Sequence, residues 1–103
     1  MTKYKARPTM VNGIRFASQK EAARYGELIL LNKAGLIGEL IIQPEFKIVI
    51  NGKDICIYMA DFMYHDRDRN ILVVEDVKGV RTPVYKLKKK LVEAAHGITI
   101  TEV

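Results

Sequence analysis

The sequence predicts a mixed α/β domain: a small N-terminal β-hairpin, a helix, three strands, a second helix and a last strand. Three observations lead there. Two segments carry helical start and stop signals, one opened by Ser18 and closed by Gly35, the other opened by Thr82-Pro83 and closed by Gly97. Between them lie runs of β-branched and aromatic residues, punctuated by Asn51-Gly52 and by a polar stretch over residues 65–70. The chain has 103 residues, the size of one domain. Residues 1–8 are basic, carry Pro8 and read as a flexible arm, leaving 9–103 as a single folded unit.

The elements follow in order. Residues 9–11 and 14–16 flank Asn12-Gly13, a dipeptide suited to the two positive φ values of a type I′ turn. Ser18 caps the first helix and Glu21, three residues on, completes a capping-box pattern. A strand begins over residues 40–43, and Pro44 imposes an edge or a break. Residues 46–50 and 55–64 form strands around Asn51-Gly52, residues 65–70 turn, and residues 71–78 form the third strong strand. Thr82 caps a helix with Pro83 at its first position, running to about His96, and residues 98–103 close the chain as a strand.

Composition narrows the function classes. Lys plus Arg is 17 against 12 for Asp plus Glu, a net charge of +5, which favours a polyanionic partner, nucleic acid ahead of an acidic membrane. The lone Cys56, in an apolar run, cannot close an intrachain disulfide and reads as a small buried hydrophobe, in keeping with a reduced cytoplasmic compartment. One Cys and two distant His offer no zinc site. No apolar stretch approaches membrane-spanning length, and the N-terminus lacks the apolar core of a signal peptide.

The chemistry lies in the acids. If the turn after residue 64 is centred between Asp68 and Arg69, Tyr64 faces Val73 and Asp61 faces Asp76 on one side of the sheet. Two carboxylates so placed repel, and a divalent cation between them turns repulsion into ligation. Alternation puts Lys78 on the face of Asp76 and Glu75 on the other; a one-residue slip would exchange Asp76 for Glu75, so Glu75 stays a substitute. The plainer alternative is a strand-end acid at 61 and an ion pair between Asp76 and Lys78. Glu21 falls at the centre of the first helix's apolar stripe, with Tyr25 and Leu28 beside it, where charge is costly. Capping alone could account for it, and the two roles are compatible.

These residues resemble the PD-(D/E)xK nuclease superfamily: Met59-Ala60-Asp61-Phe62, then Asp76-Val77-Lys78, with Glu21 on the preceding helix. The phrases Gly13-Ile14-Arg15-Phe16-Ala17-Ser18, Gln43-Pro44-Glu45-Phe46 and Glu75-Asp76-Val77-Lys78-Gly79 resemble those of small stand-alone phage and prophage members. Ala60 stands where the superfamily commonly has proline, and residues 83–96 lack the Gln of an exonuclease Gln-x-x-x-Tyr motif. The resemblance implies a restriction-endonuclease-like αβββαβ core and an endonuclease, with Holliday-junction resolvases among the analogues. It further implies Mg²⁺, with Mn²⁺ as a substitute, held by Asp61, Asp76 and the Val77 backbone carbonyl, with Glu21 in support. Lys78 would orient the attacking water or stabilise charge on the phosphate.

DNA is the implied partner, a homodimer is compatible, and the setting is the cytoplasm, a bacterial host's if the chain is phage-encoded. On the second helix, Lys86, Lys89 and Lys90 cluster away from Val84, Leu87, Leu91 and Ala95, Lys88 falls inside that apolar arc and leans toward the cleft, and Arg81 precedes the helix start. All five are candidate phosphate contacts, and a solvated helix face is their plain alternative. Two other readings compete: a non-catalytic DNA- or protein-binding module on the same fold, and a basic structural protein whose acids only pair with lysines.

Overall fold

A computed structural model describes residues 8–77 and 80–103, so the arm over residues 1–7 and Lys78-Gly79 lie outside the described residues. The architecture is mixed α+β. The elements are β1 (Thr9–Val11), β2 (Ile14–Phe16), α1 (Gln19–Lys33), β3 (Ile37–Ile42), β4 (Glu45–Ile50), β5 (Lys53–Met59), β6 (Phe62–Asp66), β7 (Ile71–Asp76), α2 (Pro83–His96) and β8 (Ile100–Glu102).

The local signals act as expected. Asn12-Gly13 and Asn51-Gly52 all hold positive φ, which closes the β1–β2 and β4–β5 hairpins with two-residue turns. Ser18 Oγ accepts from the Glu21 N–H, and α1 ends in a Schellman pattern: Leu36 N–H to the Leu31 carbonyl and Gly35 N–H to that of Asn32, with Gly35 left-handed. Thr82 caps α2 and Gly97 ends it in the left-handed region.

A four-stranded sheet of order β3-β6-β7-β8 forms the centre, antiparallel except for the parallel β7–β8 pair. Strand alternation sorts its side chains. Phe62, Tyr64 and Val73 pack with Tyr25 and Leu28 of α1, whereas Val74 and Ile100 pack with Val92 of α2, Ile48 and Tyr58. The sheet therefore carries one core on each face.

Residues 55–64, expected as one strand, are two. β3 leads into β4, and β5 into β6, across a bend where Gln43 N–H donates to the Asp61 carbonyl and Ala60 N–H to that of Pro44. Pro44 has no N–H of its own, and Ala60, 1% exposed, leaves room for the fold-over. β3 begins at Ile37, ahead of the expected residue 40, with a register shift between Gly38 and Ile41. β7 ends at Asp76 and β8 begins at Ile100.

The orientation of α2 corrects the helical-face expectation. Val84 and Leu87, placed inward from the pattern, are 64% and 59% exposed, while Val92 is fully buried and Tyr85 and Leu91 pack beside it. Lys89 turns partly inward and Lys88 lines a groove with Ile57, Met59 and Val84; Lys86 and Lys90 remain exposed. The helix has apolar residues on more than one face, and the face that lies against β4 and β5 won.

Candidate functional site

Three acids reach one region from three elements. Glu21 comes from the first turn of α1, Asp61 from the bend before β6, and Asp76 from the end of β7. The β6–β7 ladder has the anticipated register, Tyr64 opposite Val73 and Phe62 opposite Glu75. Asp61 lies one residue beyond that ladder; its N–H donates to the Glu75 carbonyl at 3.0 Å. Its side chain is fixed from the other strand, because the Val77 N–H donates to Asp61 Oδ2 at 2.6 Å. Val77, expected to offer a carbonyl, thus contributes its amide to the arrangement. Lys78 lies outside the described residues.

Glu21 is 6% exposed. Its carboxyl accepts from the Ala17 N–H at 3.2 Å while Ser18 Oγ accepts from its own N–H at 3.1 Å, so capping is one of its roles. The same carboxyl is hydrogen-bonded to Asp61. Burial first, then that bond and the charges of Asp61 and Asp76, push its pKa up to about 8. Burial and the neighbouring acids thus favour the protonated form of Glu21 around neutral pH. Among the described residues, no three His, Cys, Asp or Glu side chains form a ready-made cation cage.

That proton sets a pH dependence. A carboxyl near 4.5 unfolded and about 8 folded contributes stability that is complete below about pH 4.5 and is lost as pH rises to about 8. Glu21→Gln imitates the protonated form. The variant should match wild type near pH 4.5 and be the more stable at pH 8.5 by more than about 1 kcal/mol in urea unfolding. Equal pH profiles for the two proteins would exclude the shared proton.

Glu75, the alternative to Asp76, is committed elsewhere. It is 1% exposed on the α1 side of the sheet. Arg24 grips it with Nε to Oε1 at 2.8 Å and Nη2 to Oε2 at 2.6 Å, and the Tyr64 hydroxyl also donates to Oε2. A carboxylate so neutralised is a poor ligand for a metal, and Asp76, 1% exposed on the opposite face, is the β7 acid that joins the cluster. Neither the Arg24 clamp nor its Tyr64 member was anticipated; Arg24 lies 51 positions from Glu75, beyond any local pattern.

The basic candidates divide. Arg81 Nε donates to Glu102 Oε1 at 2.9 Å, and Lys89 Nζ stands 3.9 Å from Glu102 Oε2. Lys86 and Lys90 are exposed on α2, and no helix among the described residues is long and apolar enough to cross a membrane.

A family model described as a protein of unknown function (DUF1064) matches residues 1–99, and the chain belongs to that family. Neither the curated proteins nor the solved structures give a match.

Proposed function

We propose that this DUF1064 chain is a Mg²⁺-dependent DNA endonuclease of the PD-(D/E)xK kind. One observation carries the reading: Glu21, Asp61 and Asp76 reach one region from three separate elements, with Glu21 and Asp76 buried there, so that their carboxyls lie within each other's electrostatic reach. Like charges collected at the end of a sheet are costly unless a cation is to be held there. The donor set fits Mg²⁺, which prefers carboxylate oxygens and keeps several waters. Between α1 and α2 the described residues form five strands, and with β3–β4 and β5–β6 each taken as one bent segment their order is compatible with the same reading, as is the net charge of +5.

Asp61 and Asp76 would hold the metal, with Glu21 supporting after loss of its proton. When bound, Mg²⁺ supplies Lewis-acid polarisation of the scissile phosphate and a water of lowered pKa. The Val77 amide keeps the Asp61 carboxylate oriented. Lys78 would orient the water or meet charge on the phosphate. Incubation of supercoiled, linear and branched DNA with Mg²⁺ or with EDTA tests the assignment. Nicking or cutting with Mg²⁺ alone supports it; intact DNA throughout, with DNA still bound, leaves a binding module.

The proposal extends to a homodimer. Among the described residues β5 pairs only with β4, and its outer face exposes Ile55, Ile57 and Met59 next to Val84 of α2, with Leu87 further along that helix. Such a patch is on the order of 500 Å² per copy, at the upper end for a monomer. Both signs of charge accompany it, with Glu45 and Lys47 on the paired β4, so the surface complements a second copy better than a polyanion. Sedimentation should give two copies, and Ile57→Asp with Leu87→Glu should give one with helicity unchanged. A wild-type monomer at about 100 μM would rule the dimer out.

A further inference from the structure

A second polar cluster adjoins the acids and has no part in the chemistry above. Glu102 is the ladder partner of Asp76 across the parallel β7–β8 pair. Partners in register project to the same face, so both carboxylates leave the sheet on the α2 side, roughly 5 Å apart at the backbone. Three groups surround Glu102: Arg81 Nε donates to Oε1 at 2.9 Å, the Tyr85 hydroxyl donates to Oε2 at 2.8 Å, and Lys89 Nζ lies 3.9 Å from Oε2. Two cations thus share one anion, and the Arg81 side chain remains 52% exposed. Tyr85 also lies near enough to Asp76 to feel its charge.

The chemistry of that cluster is specific. A carboxylate offers two oxygens and one negative charge. A phosphodiester offers two non-bridging oxygens and one negative charge, and a guanidinium with a hydroxyl and an ammonium binds either. The surplus positive charge favours an anion longer than one side chain, carrying further phosphates toward exposed Lys86 and Lys90.

We propose that Arg81, Tyr85 and Lys89 form a phosphodiester-binding subsite beside Asp76, which the Glu102 carboxylate occupies until DNA displaces it. This rests on the DNA-cleaving function proposed above. Glu102 then acts as an internal competitor, and the subsite seats a phosphate one strand away from the metal-holding acids.

Fluorescence anisotropy with a labelled duplex in EDTA, where nothing is cut, is the test. Glu102→Gln should bind DNA about five- to tenfold tighter than wild type, and inorganic phosphate should displace trace labelled DNA at a lower concentration from the variant, whose subsite is open, than from wild type. Arg81→Gln and Lys89→Gln, each with Glu102 retained, should weaken binding and reduce the slope of log affinity against log salt by about 1. If Glu102→Gln binds no tighter and only melts lower, the cluster is a tether between β8 and α2, and the proposal is overturned. Unchanged affinity and slope in the Arg81 and Lys89 variants overturn it as well, even if Glu102→Gln does not fold. Loss of the nuclease reading shows separately, as no cleavage by wild type with Mg²⁺ while the EDTA series still ranks the variants.

Discussion

Asp61→Asn and Asp76→Asn are each expected to lower Mg²⁺-dependent DNA cleavage by about 10³-fold or more, with DNA affinity in EDTA changed by less than about threefold. The split follows from geometry. Both acids sit at the end of the sheet, where a metal would be held, whereas the candidate phosphate contacts stand on α2 and its approach. The two substitutions also differ in a second readout. Asp61 raises the Glu21 pKa through a hydrogen bond and through its charge, and Asp76 through charge alone. Asp61→Asn should therefore bring Glu21 down further from about 8 than Asp76→Asn does, in a carboxyl titration followed by NMR. Asparagine keeps an oxygen for the Val77 N–H, so folding should be preserved or improved as repulsion is relieved. Wild-type cutting rates in both variants would remove these acids from the chemistry.

Arg24→Ala should destabilise the protein by about 3–5 kcal/mol, the largest stability effect expected of a single substitution outside the apolar cores. The change strands Glu75, 1% exposed, with only the Tyr64 hydroxyl as a side-chain partner among the described residues. Adding Glu75→Gln to Arg24→Ala removes the stranded charge and should restore more than about 1 kcal/mol, a coupling that a double-mutant cycle in urea reads directly. A loss below about 1 kcal/mol in the single variant would mean that water reaches Glu75 and that the clamp is ornamental. Because Glu75 faces α1 and Asp76 faces α2, this loss should leave the acid cluster's own titration in place wherever the protein remains folded.

Much of the frame was legible because short-range chemistry fixes it. Asn12-Gly13 and Asn51-Gly52 can take positive φ, Ser18 and Thr82 offer capping oxygens, and the polar turn after β6 sets Tyr64 against Val73. From that register the facing of Asp76 away from Glu75 follows by alternation. The bend at Asp61 was not read from the sequence: Ala60-Asp61 are poor strand formers, but they sit inside an otherwise strand-forming run over residues 55–64, and Pro44, on the opposite strand, is the other hint that the ladder folds over there. Nor was the facing of α2. Val84, Leu87 and Leu91 make one apolar stripe and Tyr85, Leu91 and Val92 make another, and the period of the helix favours neither. In the facing adopted, the Lys89 ammonium stands 3.9 Å from Glu102, an ion pair between residues with no sequence pattern in common.

The fold-over between the paired strands gives the molecule a seam. Leu28 and Tyr25 consolidate one side, Ile48 and Val92 the other, and the acids lie along the junction rather than within either packed interior. Repacking in either half can therefore alter robustness without rewriting the carboxylates, and charge at the junction can be tuned without opening a void in either half. The apolar packing and the acid cluster are thus mutationally separable, so substitutions in one need not disturb the other.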